Sequence, residues 1–139
     1  MTIRFAFAVN HNDEFEERHF GDSEKFAIFE WNGKEFINIH ESVNSFKDDE
    51  EDGHEHHHGD KKKGKQIVKH LTAKGVKVLV SKQFGRNIKI ISQHFIPVIT
   101  SAKNINEVLD ILPDKIPAIM KDINSTSETH KLIDLRKQN

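Results

Sequence analysis

The sequence contains no cysteine among its 139 residues, and this absence removes several classes of protein at once. Without a thiolate, the chain alone cannot build a disulfide scaffold, a zinc ribbon or a cysteine-ligated iron–sulfur site. Its net charge is −1, so it lacks the basic excess that nucleic-acid binding requires. Its apolar runs are far shorter than the roughly 20 residues of a membrane-spanning helix, and it shows no signal-peptide pattern. We therefore expect an intracellular, cytoplasmic protein that binds neither nucleic acid nor membranes.

Hydrophobic residues are also scarce, at 35% of the chain, and the scarcity is concentrated in residues 44–65. This stretch contains a single hydrophobic residue, Phe46, together with an acidic block, the histidine-rich segment 53–59 and a lysine-rich block. Such a composition cannot bury enough apolar surface to offset the entropy lost on ordering. The sequence therefore predicts one domain over residues 1–113 with a solvated insertion at 44–65, followed by a partly ordered extension at 114–139.

Hydrophobic patterns before the insertion predict three strands. The first, Ile3–Val9, is apolar on both sides over most of its length, which is typical of a central strand covered on two faces. The second and third, Lys25–Trp31 and Phe36–His40, flank the pair Asn32-Gly33, which favours a type I′ hairpin turn. The chain is therefore expected to begin as a strand, a long loop and an antiparallel hairpin.

After the insertion, the pattern changes to alternating helices and strands. The predicted elements are a helix through Ile67–Leu71 that ends at Gly75, a strand at Val76–Val80, a helix at Asn87–Phe95, a strand at Ile96–Thr100, a helix that Asn104 caps and Pro113 ends, and a short helix at Ile116–Ile123. We expect an α/β fold with a ribonuclease H-like motif. Its mixed sheet has five strands in the order 3-2-1-4-5, with flanking helices.

The most conspicuous chemical feature is a cluster of histidines in the insertion, at positions His54, His56, His57 and His58. Neutral imidazole binds zinc, nickel, copper and iron ions, and several rings on one flexible loop can share an ion. Such binding should weaken below about pH 6.5, where imidazole protonates. The tight spacing of these histidines does not define the geometry of a metal site. Two interpretations are therefore open: the loop binds metal ions weakly, or it is a solvated loop without a role.

Two loops that follow predicted strands are further candidates for a binding site. His19, Phe20 and Gly21 lie in the loop after the first strand, where ligands collect in sheets with parallel strands. Gly85 precedes a predicted helix, whose free backbone N–H groups favour an anion, and Arg86 lies beside it. For both loops, the alternative is a purely structural turn.

The order and spacing of these motifs resemble the dinitrogenase iron–molybdenum cofactor biosynthesis family. Its members combine a short first strand, a His-Phe-Gly loop, a hairpin, a histidine-rich linker and alternating helices and strands. The correspondence here runs from Ile3 to about Leu112. The resemblance implies a ribonuclease H-like fold and a non-enzymatic carrier. Its cargo would be an iron–sulfur-type cluster, similar to the iron–molybdenum cofactor, or a transition-metal ion.

The resemblance also implies a set of site residues. The candidates for binding the metal are His19, His54, His56, His57 and His58, and those for binding the cofactor are His19, Phe20, Gly21 and Gly85. One loop departs from the family pattern, because members usually carry Gly-Gly-Ile-Gly-Pro where this chain has the sequence SKQFGR at 81–86. Only Gly85 corresponds to those glycines, so its bulky neighbours are expected to alter the pocket.

A carrier needs proteins that supply and receive its cargo, so the expected partners are a cluster donor or a cluster recipient. The expected assembly is a monomer or a weak homodimer. The alternative is a regulatory or structural module that lost its ligand, which the missing glycines favour. A two-metal nuclease is the weakest interpretation, since such sites need carboxylates on the central strand and Ile3–Val9 carries none.

Overall fold

A six-stranded mixed sheet forms the centre of the fold in the computed structural model, which describes residues 2–46 and 56–136. The strands are β1 (Ile3–Val9), β2 (Lys25–Trp31), β3 (Phe36–Val43), β4 (Val76–Ser81), β5 (Ile96–Ile99) and β6 (Ile133–Asp134). The helices are α1 (His56–Ala73), α2 (Ile88–His94), α3 (Ile105–Leu109) and α4 (Ile116–Ile123). The sheet order is β3-β2-β1-β4-β5-β6, so the predicted order 3-2-1-4-5 is confirmed and a sixth strand extends it.

Strand β1 lies between β2 and β4 because nearly all of its side chains are apolar and are buried on both faces. Phe5 and Phe7 belong to the hydrophobic cluster on one face, together with α3 and α4. Ala6 and Ala8 belong to the cluster on the other face, together with α1 and α2. We call these two sides the Phe face and the Ala face. Strand β1 pairs antiparallel with β2 and parallel with β4, as a central strand of a mixed sheet does.

The hairpin between β2 and β3 is confirmed, but its turn is not the predicted type I′. Gly33 has a φ of 102°, whereas Asn32 does not adopt a positive φ. Instead, the side-chain oxygen of Asn32 accepts hydrogen bonds from the backbone N–H groups of Lys34 and Glu35, at 2.9 and 3.0 Å. An asparagine that bonds its own following backbone stabilises a wider loop than the two-residue turn expected from the sequence.

Helix α1 differs most from the sequence-based expectation. It begins at His56, so the part of the insertion from residue 56 onward is helical, whereas a solvated segment was predicted for 44–65. A tertiary contact fixes this part of the helix to the loop after β1, since Lys63 is 4% exposed and places its Nζ 2.9 Å from Oδ1 of Asp22. Because Lys63 lies four residues before the buried Ile67, it extends the buried side of the helix by one turn.

The segment after β5 begins with the predicted capping box. The side chain of Asn104 accepts from the backbone N–H of Glu107 at 3.2 Å, and the side chain of Glu107 accepts from the N–H of Asn104 at 3.0 Å. The prediction that Pro113 ends this helix is wrong, because α3 already ends at Leu109. Pro113 instead lies in the first turn of a 3₁₀ segment, where its missing N–H costs nothing.

Residues 114–136 of the predicted extension add to the Phe face. Helix α4, which the sequence predicted, buries Ile119, and Leu135 is 4% exposed in the same cluster. Strand β6 pairs in parallel with β5 and has only two residues, too few for a hydrophobic period to reveal it. Within the described ranges, no helix is both long and apolar enough to cross a bilayer.

Candidate functional site

The carboxyl ends of the parallel strands β1, β4 and β5 meet at one edge of the sheet, and the loops that follow them lie there. Buried polar side chains gather at this edge, although burial of a polar group is costly unless it is hydrogen-bonded. They are Ser23, Asn44, Lys63, Ser81 and Thr100. We call this region the carboxyl edge, and in sheets of this kind it is the usual position of a ligand site.

Phe20 fixes the loop after β1 to the loop after β4. Its side chain is 1% exposed and packs against Phe84, with ring centroids 6.0 Å apart. Its backbone N–H donates to the carbonyl of Gln83 at 3.0 Å, and the Gln83 side chain donates to the carbonyl of Glu17 at 2.9 Å. These bonds hold the two loops in one arrangement, so the residues beside Phe20 have defined positions.

Gly21 allows the helical layer to approach the loop closely. A Cβ atom at this position would lie 3.1 Å from Cε of Lys63, closer than ordinary van der Waals contact. The carbonyl of Gly21 accepts a hydrogen bond of 3.0 Å from the side-chain amide of Asn44, which also donates to the carbonyl of Ser23 at 2.9 Å. Asn44 follows β3 and is 3% exposed, so a buried amide holds the turn in place.

A small cavity of about 60 Å³ lies between this loop, α1 and the turn before α2. Its lining consists of His19, Phe20, Gly21, Asp22, Lys63, Arg86 and Asn87. We call it the edge pocket. Gly64 helps to close it, because a Cβ there would come within 2.8 Å of Cγ of Asn87. Three residue types with distinct chemistry therefore meet here: an imidazole, two cationic side chains and one carboxylate.

His19 is exposed and its ring rests directly on the backbone of Gly85. A Cβ at Gly85 would lie 2.7 Å from Cε1 of the ring, and Gly85 has a φ of 62°, in the left-handed region that favours glycine. Neither ring nitrogen of His19 has a hydrogen-bond partner among residues 2–46 and 56–136. The imidazole is thus held by packing, while its nitrogen atoms stay available for a ligand.

The structure therefore brings His19, Phe20, Gly21 and Gly85 together, as a shared binding site requires. The histidine cluster is placed differently. His56, His57 and His58 belong to the first turn of α1, and His54 lies outside the described residues. Among the described residues, no group of three His, Asp or Glu side chains is arranged to hold a metal ion. The role of the cluster as a set of ligands stays a prediction.

The edge pocket does not fit a metal ion that stays bound to the described residues. A zinc site uses four ligands, usually three or four of them from the protein, whereas this pocket offers His19 and the carboxylate of Asp22, which already pairs with Lys63. The volume of about 60 Å³ corresponds to about two water molecules. With Lys63 compensated by Asp22, the groups that an anion could meet are the exposed imidazole of His19 and the guanidinium of Arg86.

Lys63, Asp22 and Asn44 contribute to this site but were not identified as site residues from the sequence. The lysine-rich block around Lys63 is typical of a solvated segment, whereas the burial of Lys63 involves a tertiary contact with Asp22. One signal was present, since Lys63 continues the four-residue spacing of Ile67 and Leu71 toward the N-terminus. Asn44 carried no such signal, because an asparagine after a strand most often belongs to an ordinary turn.

The chain thus has an α/β fold with a mixed sheet, and the edge pocket lies at the carboxyl ends of its parallel strands. Residues 1–113 match the family model described as dinitrogenase iron-molybdenum cofactor, and the chain belongs to this family. The family is linked to the biosynthesis or handling of that cofactor, and it is an accessory family rather than a known catalytic one. No curated protein matches the chain.

Proposed function

We propose that the protein is a non-enzymatic carrier that binds its cargo at the carboxyl edge. The cargo is an iron–sulfur-type cluster, similar to the iron–molybdenum cofactor, or a transition-metal ion. His19 supplies the first ligand from the open side of the edge pocket, and the accessory ligands are His54, His56, His57 and His58. The partners of such a carrier are a protein that donates the cluster and a protein that receives it.

The observation that carries this proposal is the state of the His19 ring. It is exposed, fixed against Gly85 and without a hydrogen bond to any described residue. A carrier must release its cargo, so one accessible and exchangeable imidazole suits it better than a closed set of ligands. The charges of Lys63 and Asp22 compensate each other, and Arg86 adds a guanidinium to the lining of the same pocket, which favours a cluster with negative charge.

The absence of cysteine is consistent with a protein that transfers its cluster to a partner rather than storing it. Iron–sulfur clusters are normally held by several thiolates, and this chain has none to offer. A cluster bound through imidazole is expected to be labile, and lability is what hand-over to a partner requires. The recipient then needs only a stronger set of ligands to draw the cluster from the edge pocket.

The test is metal binding by protein that is produced without an affinity tag and isolated without air. Iron and molybdenum are measured by elemental analysis, before and after incubation with iron, nickel or zinc ions and with a preassembled iron–sulfur cluster. We expect His19→Ala to lose most of the bound cluster. The variant with alanine at positions 54, 56, 57 and 58 should take up less metal without unfolding.

His11→Ala is the matched control. His11 is also an exposed histidine in the loop after β1, but its Nε2 lies 2.7 Å from a carboxylate oxygen of Glu24 and it does not line the edge pocket. This variant should keep the cluster content of the unsubstituted protein. Equal uptake by the His19→Ala variant, or unsubstituted protein that stays empty under all conditions, contradicts the proposal.

A module that has lost its ligand is the second candidate, and one observation favours it. Phe84, which stands in the loop where the family usually carries glycines, is 4% exposed and packs against Phe20. It fills space beside a pocket that is only about 60 Å³ in volume. Protein that stays empty in the experiment above, yet is folded and stable, would favour this interpretation.

A further inference from the structure

The stretch of chain that forms most of the helical layer on the Ala face carries an excess of positive charge. Residues 61–106 contain ten lysines and one arginine but no aspartate or glutamate, although the whole chain has a net charge of −1. This stretch includes most of α1, all of β4 and all of α2. Helices α1 and α2, which form the layer on the Ala face, together contain six lysines and one acidic residue, Asp60, so this layer is basic.

A groove of about 570 Å³ runs between α1 and α2 on this layer. Val68 and Ile90 form part of its apolar floor, and the remaining lining is Lys65, Lys69, Thr72, Ala73, Gln93 and His94. From Lys65 to Ala73 it follows α1 for about 12 Å, since a helix rises about 1.5 Å per residue. The groove thus has the length of about two helical turns.

The charges along the groove lack partners within the protein as described. Neither Lys65 nor Lys69 forms an ion pair with any residue of 2–46 or 62–136, and both side chains are exposed. Among the side chains that the structure describes, none of those lining the groove is acidic. The groove therefore has an apolar floor between unpaired ammonium groups. The surface complementary to it is an apolar stripe with carboxylates along both sides.

We propose that the groove between α1 and α2 binds an amphipathic helix of a partner protein, with Asp and Glu residues flanking the apolar side of that helix. Helices that bind in grooves place apolar side chains at positions i, i+3, i+4 and i+7, which span about two turns and match the length of this groove. The inference does not depend on the cargo of the edge pocket, so the two can fail separately.

The shape and composition of the groove favour a protein over other anionic partners. Contacts to nucleic acid are mostly made to phosphates, and the apolar floor at Val68 and Ile90 would gain nothing from them. A membrane surface is flat on this scale and cannot follow a concave groove between two helices. A helix with an apolar stripe uses the floor and the rim together.

The groove also lies next to the candidate site. Lys65 follows Gly64, whose backbone packs against Asn87 of the edge pocket, so the groove begins where the pocket ends. A helix bound there would bring its own protein against His19 and the open side of the pocket. This placement suits a partner that gives or takes the cargo.

The test uses a synthetic amphipathic peptide of about 16 residues, with leucines at the i, i+3, i+4 and i+7 positions and glutamates on both flanks. Binding is followed by calorimetry and by the methyl resonances of Val68 and Ile90. We expect saturable binding with shifts at these two residues. A second peptide, with lysine in place of each glutamate, should bind about tenfold more weakly, and added salt should weaken binding of the first.

Charge reversal at the rim provides the matched pair of variants. Lys65→Glu with Lys69→Glu should weaken binding of the acidic peptide about tenfold, whereas Lys121→Glu with Lys131→Glu should leave it unchanged. Lys121 and Lys131 are exposed and belong to the opposite side of the sheet. All four positions tolerate glutamate without loss of a buried contact, so the comparison does not depend on folding.

Several outcomes would overturn the inference. Equal binding of both peptides, or shifts confined to residues outside the groove, contradicts it. Tighter binding of a short DNA duplex or of phosphatidylserine vesicles at Val68 and Ile90 assigns the groove to another class of partner. If the peptide binds only after residues 48–52 are changed to serine, the acidic block of this chain occupies the groove instead of a partner.

Discussion

The Phe face and the Ala face pack on the same sheet, yet their helical layers differ in composition. On the Phe face, α3, α4 and the residues between them add an apolar cluster with charges of both signs on the outside. On the Ala face, α1 and α2 add a buried lysine, a close approach at Gly64 and six lysines against a single acidic residue, Asp60. The first layer needs no ligand to explain it, whereas the second carries features that packing alone does not require.

Buried charge is the clearest sign of this difference. Lys63 is 4% exposed, and burying an ion pair contributes little to stability compared with apolar residues of the same size. Lys63 also lines the edge pocket. Under the two proposals above, the Phe face mainly stabilises the fold, whereas the carboxyl edge binds the cargo and the Ala face binds a partner.

The largest expected effect concerns the Phe face. Leu112→Ala should lower the free energy of unfolding by about 3 kcal/mol, because Leu112 is fully buried and its removal leaves a cavity. Urea denaturation measures this loss. Cluster binding per folded molecule, measured by elemental analysis, should stay unchanged, and a parallel loss of binding would show that the two faces are not separate in function.

The second prediction concerns the buried ion pair of the Ala face. Lys63→Met should lower the free energy of unfolding by about 2 kcal/mol, because it leaves the Asp22 carboxylate without its ammonium partner. Lys82→Met is the control, since Lys82 pairs at 2.6 Å with Glu17, whose side chain is 80% exposed, and should cost less than about 1 kcal/mol.

A double variant sharpens this result. Adding Asp22→Asn to Lys63→Met should recover part of the lost stability, because no unpaired carboxylate is left beside the pocket. Lys63→Met alone should bind less anionic cluster than the unsubstituted protein, whereas the double variant, which removes one charge of each sign, should bind more than Lys63→Met. Equal binding by the unsubstituted protein and Lys63→Met would mean that the charge in the edge pocket has no role.

The third prediction separates backbone strain from the contact with the His19 ring. Gly85→Ala and Gly33→Ala both place a side chain at a positive φ and should each cost about 1 kcal/mol. Only at Gly85 does the new Cβ meet a neighbour, the imidazole of His19, whereas Gly33 has open space around it. Gly85→Ala should therefore displace the ring and reduce cluster binding, and Gly33→Ala should not. Equal binding by both variants would contradict the role of this contact.

The smallest expected effect is a pH dependence from His70 on α1. Partial burial, with further contributions from Lys74 and His40, lowers the pKa of His70 below its ordinary value, and its Nε2 lies 2.6 Å from Oγ of Ser42. The neutral ring is thus favoured in the folded state. The resulting stabilisation is present above about pH 6.5 and is lost as the pH falls through the lower pKa of the folded protein.

His70→Gln tests this prediction by urea denaturation at a series of pH values. The variant should lose less stability than the unsubstituted protein as the pH decreases from about 7 to about 5. His94→Gln is the control, because His94 is also on the Ala face but is exposed. If His70→Gln and His94→Gln change the pH dependence equally, burial of His70 is not its cause.

The sequence alone was sufficient for most of the fold, because strands and helices with a repeated apolar pattern reveal themselves. The apolar strand β1 and the capping box at Asn104 were predicted from local residues, and both are confirmed. The start of α1 at His56 was not predicted, and neither was the contact between Lys63 and Asp22, because these two residues are distant in the chain. The predicted type I′ turn at Asn32-Gly33 was wrong for a different reason. The side chain of Asn32 bonds the following backbone and so competes with the turn geometry that the pair Asn-Gly favours.

For the candidate site, the sequence indicated the residues but not their arrangement. The sequence predicts His19, Phe20, Gly21 and Gly85 as site residues, and the structure brings these four residues together. The support from Asn44 and the contact between the Gly85 backbone and the imidazole are tertiary features, which no local pattern reveals. Whether these residues bind a ligand stays a prediction.

The most direct test is to detect nitrogen from His19 bound to the metal. Protein labelled with ¹⁵N in its histidine rings is loaded with a paramagnetic iron–sulfur cluster without air, and the nitrogen hyperfine coupling is measured by pulsed electron paramagnetic resonance. We predict a directly bonded imidazole nitrogen whose signal disappears in His19→Gln and persists in His11→Gln. A loaded cluster without any imidazole coupling, or with coupling that His19→Gln leaves intact, would contradict the assignment of the edge pocket as the cargo site.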